Sequence, residues 1–158
     1  MIHGIPRTFE DETAGNWLDF LIADILLLLG LDRFYDFVGD AAIAPVKETA
    51  AQVFALLFKH LTIAPTAQFQ IINRLISTLL SSQVWQIQHS GLLAAKYIVA
   101  SADSSLLKSV SNNLGDSVVS LLAAEDEDIR AVAAEVIAFL VSCDELHLDR
   151  VENALNEV

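Results

Sequence analysis

Three stretches, Pro45-Val46-Lys47-Glu48-Thr49-Ala50, Gln86-Ile87-Gln88-His89-Ser90-Gly91 and Asp128-Ile129-Arg130-Ala131-Val132-Ala133, are one pattern written three times. The apolar anchors Val46, Ile87 and Ile129 stand 41 and 42 residues apart. A long polar side chain follows each anchor, at Lys47, Gln88 and Arg130, and a small residue closes each stretch, at Ala50, Gly91 and Ala133. The register persists through Val53, Ala94 and Val136, and then through Leu57, Ile98 and Leu140. Apolar residues at three- and four-residue steps mark helices. The small position lets a neighbouring helix approach, and the apolar positions are expected to face the adjacent helix and the next unit.

A period near 40 residues with two helices per unit is the signature of HEAT and armadillo-like repeats. The expected fold is all-α: an α-solenoid of HEAT-type helix pairs, about three and a half repeats over residues 14–158. The units read as Ala14–Leu61, with a long first helix broken at Gly30, then Pro65–Ala102 and Asp103–Cys143. Glu145–Val158 reads as the first helix of a fourth unit. Helices are expected near Asn16–Leu29, Arg33–Val38, Pro45–His60, Thr66–Leu80, Trp85–Ala100, Ser105–Leu122, Asp128–Ser142 and Leu146–Glu157. Pro45 and Pro65 suit first helical positions, where a missing N–H costs nothing. No Asn-Gly or Asp-Gly hairpin signal occurs. A half-unit leaves an apolar face bare, here Leu146, Leu148, Val151 and Leu155. The simplest inference is that the chain is a fragment, or that neighbouring repeats or another chain cover this C-terminal face.

Composition fits a packed domain and excludes several alternatives. Of the 158 residues 54% are apolar and 8% aromatic, with six glycines and three prolines. That is too apolar for disorder and too poor in Gly and Pro for a collagen-like chain. Cys143 is the lone cysteine, so no internal disulfide is possible. The formal net charge of −12 argues against direct nucleic-acid binding and favours a basic protein partner. The most apolar run, Trp17–Leu31, is short for a membrane span and carries Asp19 and Asp24. Met1–Thr13 is a polar segment with Arg7, Glu10, Asp11 and Glu12, without the apolar block of a signal peptide.

Catalytic and cofactor chemistry finds no foothold. No glycine precedes lysine, so a Walker-type loop is absent, and there is no G-x-S-x-G elbow. His3, His60, His89 and His147 are scattered, and the only metal-like pair, Cys143 and His147, would need ligands from elsewhere even if it shared a helix face. No catalytic residue, metal or cofactor is expected. Cys143 reads as a buried, inert thiol ending a helix. Asp32, Asp36 and Asp40, spaced by four, read as a solvated edge. The run Glu125-Asp126-Glu127-Asp128 precedes a helix and suits both capping and interaction with the positive helix end. Arg130 can reach Asp126 at i−4. Trp17 reads as core; Trp85 reads either as a staple against Gln88 and His89 or as an exposed anchor for a partner.

Specific blocks then resemble one family. Leu31-Asp32-Arg33-Phe34-Tyr35-Asp36-Phe37-Val38-Gly39-Asp40, followed by Ile43-Ala44-Pro45-Val46-Lys47-Glu48-Thr49-Ala50-Ala51-Gln52, resembles the N-terminal HEAT array of the Mot-one family, the TATA-binding-protein-associated Swi/Snf-type ATPases known in animals as the B-TFIID subunit. The family pattern reads close to L-D-R-F-G-D-F-V-S-D and V-A-P-V-R-E-T-A-A-Q. Trp85–Val99 and Glu127–Glu135 are similar to two further family blocks, and Asn16–Asp24 to a W-L-E-D-L segment. Tyr35 stands for the family's glycine, and Lys47 and Gln88 for its arginines.

The resemblance implies a segment that docks the TATA-binding protein for its ATP-dependent removal from promoter DNA by a motor absent from this chain, in the nucleus. The alternative is a spacer within the scaffold that touches no partner. In the docking reading the inter-helix turns line one edge, Asp36–Ala44, Ser81–Trp85 and Ala124–Asp128. The expected partner-binding residues are Asp36, Asp40, Gln83, Trp85, Glu125, Asp126, Glu127 and Asp128, acidic turns toward a basic surface.

Overall fold

A computed structural model describes residues 20–22, 24–32, 36–38, 41–43, 45–61, 67–143 and 146–156. The expectations at the 1–13 segment, Trp17, Asp40 and Pro65 lie outside these residues. Helix α1 covers residues 24–31, with 20–22 also helical. A two-stranded hairpin follows, β1 (Asp36–Val38) and β2 (Ala41–Ile43), and then α2 (Pro45–Leu61), α3 (Ala67–Leu80), α4 (Trp85–Ser101), α5 (Ser104–Ser120), a short 3₁₀ turn (Leu121–Ala123), α6 (Glu127–Ser142) and α7 (Leu148–Asn156).

The helices form two interlocking rows. α2 packs on α4 and α4 on α6, while α3 packs on α5 and α5 on α7; α3 also lies against α4, and α5 against α6. One apolar core runs through both rows. Phe54, Phe58, Ile76, Leu92, Ile98, Leu114, Ile129 and Leu140 are among its fully buried side chains. The small position of the repeated pattern serves close approach at α4. A Cβ built on Gly91 would lie 2.9 Å from Leu79 Cβ and 3.0 Å from the Leu80 backbone nitrogen.

Local chemistry sets the helix starts. Asp103 accepts from the Leu106 amide at 2.9 Å, and Asp126 from the Ile129 amide at 3.2 Å, so both are N-caps. The capping reading of the acidic run therefore holds for Asp126. The third position of the repeated pattern donates to a backbone carbonyl in all three units, across to α4 at Lys47 and back to the preceding turn at Gln88 and Arg130. Lys47, wholly buried, donates to the Gln86 carbonyl at 3.0 Å and Ser90 Oγ at 2.8 Å, tying α2 to α4. Gln88 Nε2 donates to the Leu80 carbonyl at 3.0 Å, closing the turn before α4. Arg130 Nη1 donates to the Ala124 and Glu125 carbonyls, each at 2.7 Å, closing the turn before α6. The expected Arg130–Asp126 pairing gives way to these carbonyls: they accept the guanidinium, while the Asp126 carboxylate serves the cap.

Other expectations need correction. The helix expected over Arg33–Val38 is replaced at its end by β1, paired antiparallel with β2 in the register Asp36↔Ile43, Phe37↔Ala42 and Val38↔Ala41. Phe37, Val38 and Ile43 are good strand residues, and two residues, Gly39-Asp40, separate the strands. α1 does not break at Gly30 but runs through Leu31, with the Asp32 amide bonded to the Leu28 carbonyl at 3.0 Å. Cys143 is exposed, because α6 ends at Ser142 and the Cys143 amide caps it at the Phe139 carbonyl. Cys143 and His147 share no helix, since α7 begins only at Leu148. Leu146 is buried and Val151 packs on the core, but Leu148 is 60% exposed. Val46 and Val53, expected in the core, are 51% and 41% exposed beside a groove between α1 and α2.

Candidate partner-binding edge

The α3–α4 turn and the α5–α6 turn lie side by side because α3 packs on α5 and α4 on α6. Between them opens a cleft of about 660 Å³, lined by Ser82, Gln83, Trp85 and Gln88 from the first turn and its helix, and by Ser120, Leu121, Ala123, Ala124, Glu125 and Asp126 from the second. Four residues singled out from sequence, Gln83, Trp85, Glu125 and Asp126, thus meet on one surface feature. Glu127 and Asp128 continue from it into the first turn of α6. Asp36 lies in β1, and Asp40 is outside the described residues.

Both walls are fixed by hydrogen bonds that leave their outer groups exposed. On the first, the Val84 amide bonds to Ser82 Oγ at 3.1 Å, the Ile87 and Gln88 amides bond to the Val84 carbonyl, and the Gln88 side chain holds Leu80. Trp85 opens α4, half-buried, and its ring packs against the core. It therefore packs on the core and stands on the cleft wall together. On the second wall, Arg130 pins the 124–125 backbone and Asp126 caps α6, while Glu125 and Glu127 remain solvent-exposed. The acids also complement the positive end of α6. The run thus divides its work: Asp126 is committed to local structure, and Glu125 and Glu127 face outward.

Electrostatics behind the edge centre on His89, buried on α4 one residue from Gln88. Burial, and then the Lys47 ammonium, hold its pKa below the usual imidazole value against the opposing pull of Asp128 and Asp126. Farther along α4, Lys96 bridges to Glu135 of α6 at 2.6 Å. Burial opposes its charge, but Glu135 outweighs that and leaves the Lys96 pKa raised. The pair is partly exposed, so it contributes only tenths of a kcal/mol, on the order of surface pairs generally.

Among the described residues, no cluster of metal-ligating side chains occurs, and no helix is long and apolar enough to cross a membrane. The cleft's polar groups are amides, hydroxyls and carboxylates, a set suited to recognition. Sequence reasoning missed the contributions of Gln88, Ser120 and Leu121. The resemblance of the third pattern position across the units was the available signal for Gln88; the packing of α5 on α3, which brings in Ser120 and Leu121, had none.

Known relatives match this stretch. The chain is 36% identical to human TATA-binding protein-associated factor 172 over 75% of its own length, and 32% identical to TATA-binding protein-associated factor MOT1 of Saccharomyces cerevisiae over 89%. The chain belongs to the Mot1 family. A Schizosaccharomyces pombe member, TATA-binding protein-associated factor mot1, is 28% identical over 97% of the chain. The matched region spans 6% of the human relative and 8% of each yeast relative, so this chain corresponds to a small part of much larger proteins. No family model and no solved structure matches the chain.

Proposed function

We propose that this chain is a HEAT-type solenoid segment of a Mot1-family factor that docks the TATA-binding protein through the edge formed by its inter-helix turns. The docked protein is then removed from promoter DNA by an ATP-driven motor elsewhere in the longer protein, in the nucleus. What carries the reading is the shared cleft: two turns far apart in sequence present Gln83, Trp85, Glu125 and Asp126 on one concave surface. It is acidic at its rim and half-buried tryptophan at its wall, on a chain of net charge −12. Acidic rims raise the association rate of basic partners and fix register, while a partly buried tryptophan supplies contact area. The names of the relatives supply the partner. In this mechanism the segment contributes grip and orientation; it performs no chemistry.

The experiment is calorimetric titration of the chain with the core domain of the TATA-binding protein at two salt concentrations. It is repeated with Glu125→Lys/Glu127→Lys, a variant that leaves the Asp126 cap intact. Saturable binding that weakens with salt and weakens further in the variant supports docking. A folded chain that does not bind, or a variant that binds as the parent does, refutes it and leaves the spacer role.

A further inference from the structure

The turns before α4 and α6 leave an unbalanced set of hydrogen-bonding groups in their shared cleft. Among the described residues the Glu125 carboxylate makes no hydrogen bond or ion pair, and Asp126 spends only Oδ1, on the Ile129 amide. On the facing wall Gln88 spends its Nε2 donor on the Leu80 carbonyl, which leaves Oε1 as an acceptor. Uncommitted acceptors therefore line both walls. The chain's own nearby guanidinium does not take them, because Arg130 Nη1 is held by the Ala124 and Glu125 carbonyls. The charge of the edge has the matching sign. The positive ends of α4 and α6, about +0.5 each, together with Arg130 and the buried Lys47 ammonium, fall short of the four carboxylates of residues 125–128.

We propose, on the docking reading above, that the cleft is a socket for one arginine side chain of the docked basic protein, its guanidinium stacked on Trp85 and paired with Glu125. A guanidinium carries five donors and no acceptor in a planar fork, so it can bond acceptors on two walls at once. Its flat face suits the ring of Trp85, which packs on the core and lines the cleft. Leu121 and Ala123 add apolar lining for the methylene stem. A lysine ammonium brings three donors on a point charge and no plane to stack, and is the weaker occupant. An anionic side chain would meet Glu125 and Asp126 as like charges.

The test is NMR titration of the chain with blocked tripeptides that place arginine, lysine or citrulline, the uncharged near-isostere of arginine, between two glycines. The readout is the Trp85 indole N–H peak, assigned with Trp85→Phe, together with the Gln88 and Glu125 amides. The expected result is a saturable, millimolar shift with the arginine peptide, roughly threefold weaker binding of the lysine peptide, and none of the citrulline peptide. Glu125→Gln should weaken the arginine peptide about fivefold, the worth of a well-placed exposed ion pair. Glu152→Gln, exposed on α7 and outside the cleft, removes the same charge and should leave binding unchanged. Both glutamates are exposed, so both variants keep the parent's circular dichroism. Equal binding of the three peptides, no shift at Trp85, or two glutamine variants that behave alike would overturn the socket. Docking is read separately, by the calorimetric titration. A TATA-binding protein core that docks while the arginine peptide leaves Trp85 unmoved removes the socket and keeps docking. A peptide that binds where that core does not removes docking and keeps the socket for another basic protein.

Discussion

Gly91→Ala and Gly115→Ala add the same methyl group to two mid-helix positions, and the structure gives them opposite signs. In an open helix the change is favourable by about 1 kcal/mol, because alanine has less backbone freedom to lose than glycine. At Gly115 that gain is kept: the new Cβ meets Leu146 Cδ1 at 3.6 Å and Ser111 Oγ at 3.7 Å, both ordinary contacts. At Gly91 it meets Leu79 Cβ at 2.9 Å and the Leu80 backbone nitrogen at 3.0 Å. Neither atom is the far end of a flexible side chain, so α3 and α4 must separate along a line where Leu80 and Leu92 are fully packed. Overpacking costs about 1–3 kcal/mol in general, and a clash with a Cβ and a backbone nitrogen falls in its upper part, about 2–3 kcal/mol. The expected outcomes are a gain of roughly 0.5–1 kcal/mol for Gly115→Ala and a net loss of roughly 1–2 kcal/mol for Gly91→Ala. For a chain of this size the loss lowers the melting temperature by roughly 3–6 °C. Urea unfolding of the parent and both variants measures the difference, with unchanged m-values showing that only stability has moved. A Gly91→Ala chain as stable as the parent would refute the close α3–α4 approach and the role given to the small position of the repeat.

Three further outcomes follow from the same geometry. Lys47→Ala removes a fully buried stem and both of its bonds to α4, at Gln86 and Ser90, and should cost about 2–4 kcal/mol in denaturant unfolding, with Lys47→Arg recovering part of it. His89 has its folded pKa depressed, so the unfolded chain binds more protons: its contribution is complete above pH about 6.5 and falls away as the pH drops below that toward the folded value. Stability measured at pH 7.5 and 5.5 should therefore decline with a slope that His89→Gln reduces. Arg130→Met keeps much of the stem but frees the Ala124 and Glu125 carbonyls; a loss of about 1–2 kcal/mol in stability is expected, with faster amide exchange across residues 124–127.

The helical plan was legible because its signals are local. Pro45 and the acidic run ending in Asp128 mark starts, and the 41- and 42-residue spacing fixes which positions of α2, α4 and α6 correspond. The hairpin escaped because three-residue strands are too short to show alternation, and Gly39-Asp40 is a turn signal outside the Asn-Gly and Asp-Gly pairs sought. Periodicity names a face but not what covers it, which is why Val46 and Val53 match the buried Ile129, Ala94 and Val136 and yet stand exposed. The cleft was half legible. Turn positions and acids are written in the chain, but the approach of Leu121 and Ser120 to Trp85 comes from the packing of α3 on α5 and α4 on α6. Arg130 shows the same division: i−4 spacing pointed to Asp126, whereas the folded turn offers two carbonyls at hydrogen-bonding distance.

Docking through the turn edge is tested most directly by amide hydrogen exchange of this chain, alone and saturated with the core domain of the TATA-binding protein. The turns from Ser81 to Gln88 and from Leu121 to Asp128 should gain protection together, because they form the two walls of one cleft. The groove between α1 and α2 should be unchanged. Binding that leaves both turns exchanging at their free rates, or that protects only the α1–α2 groove, would contradict docking through the edge.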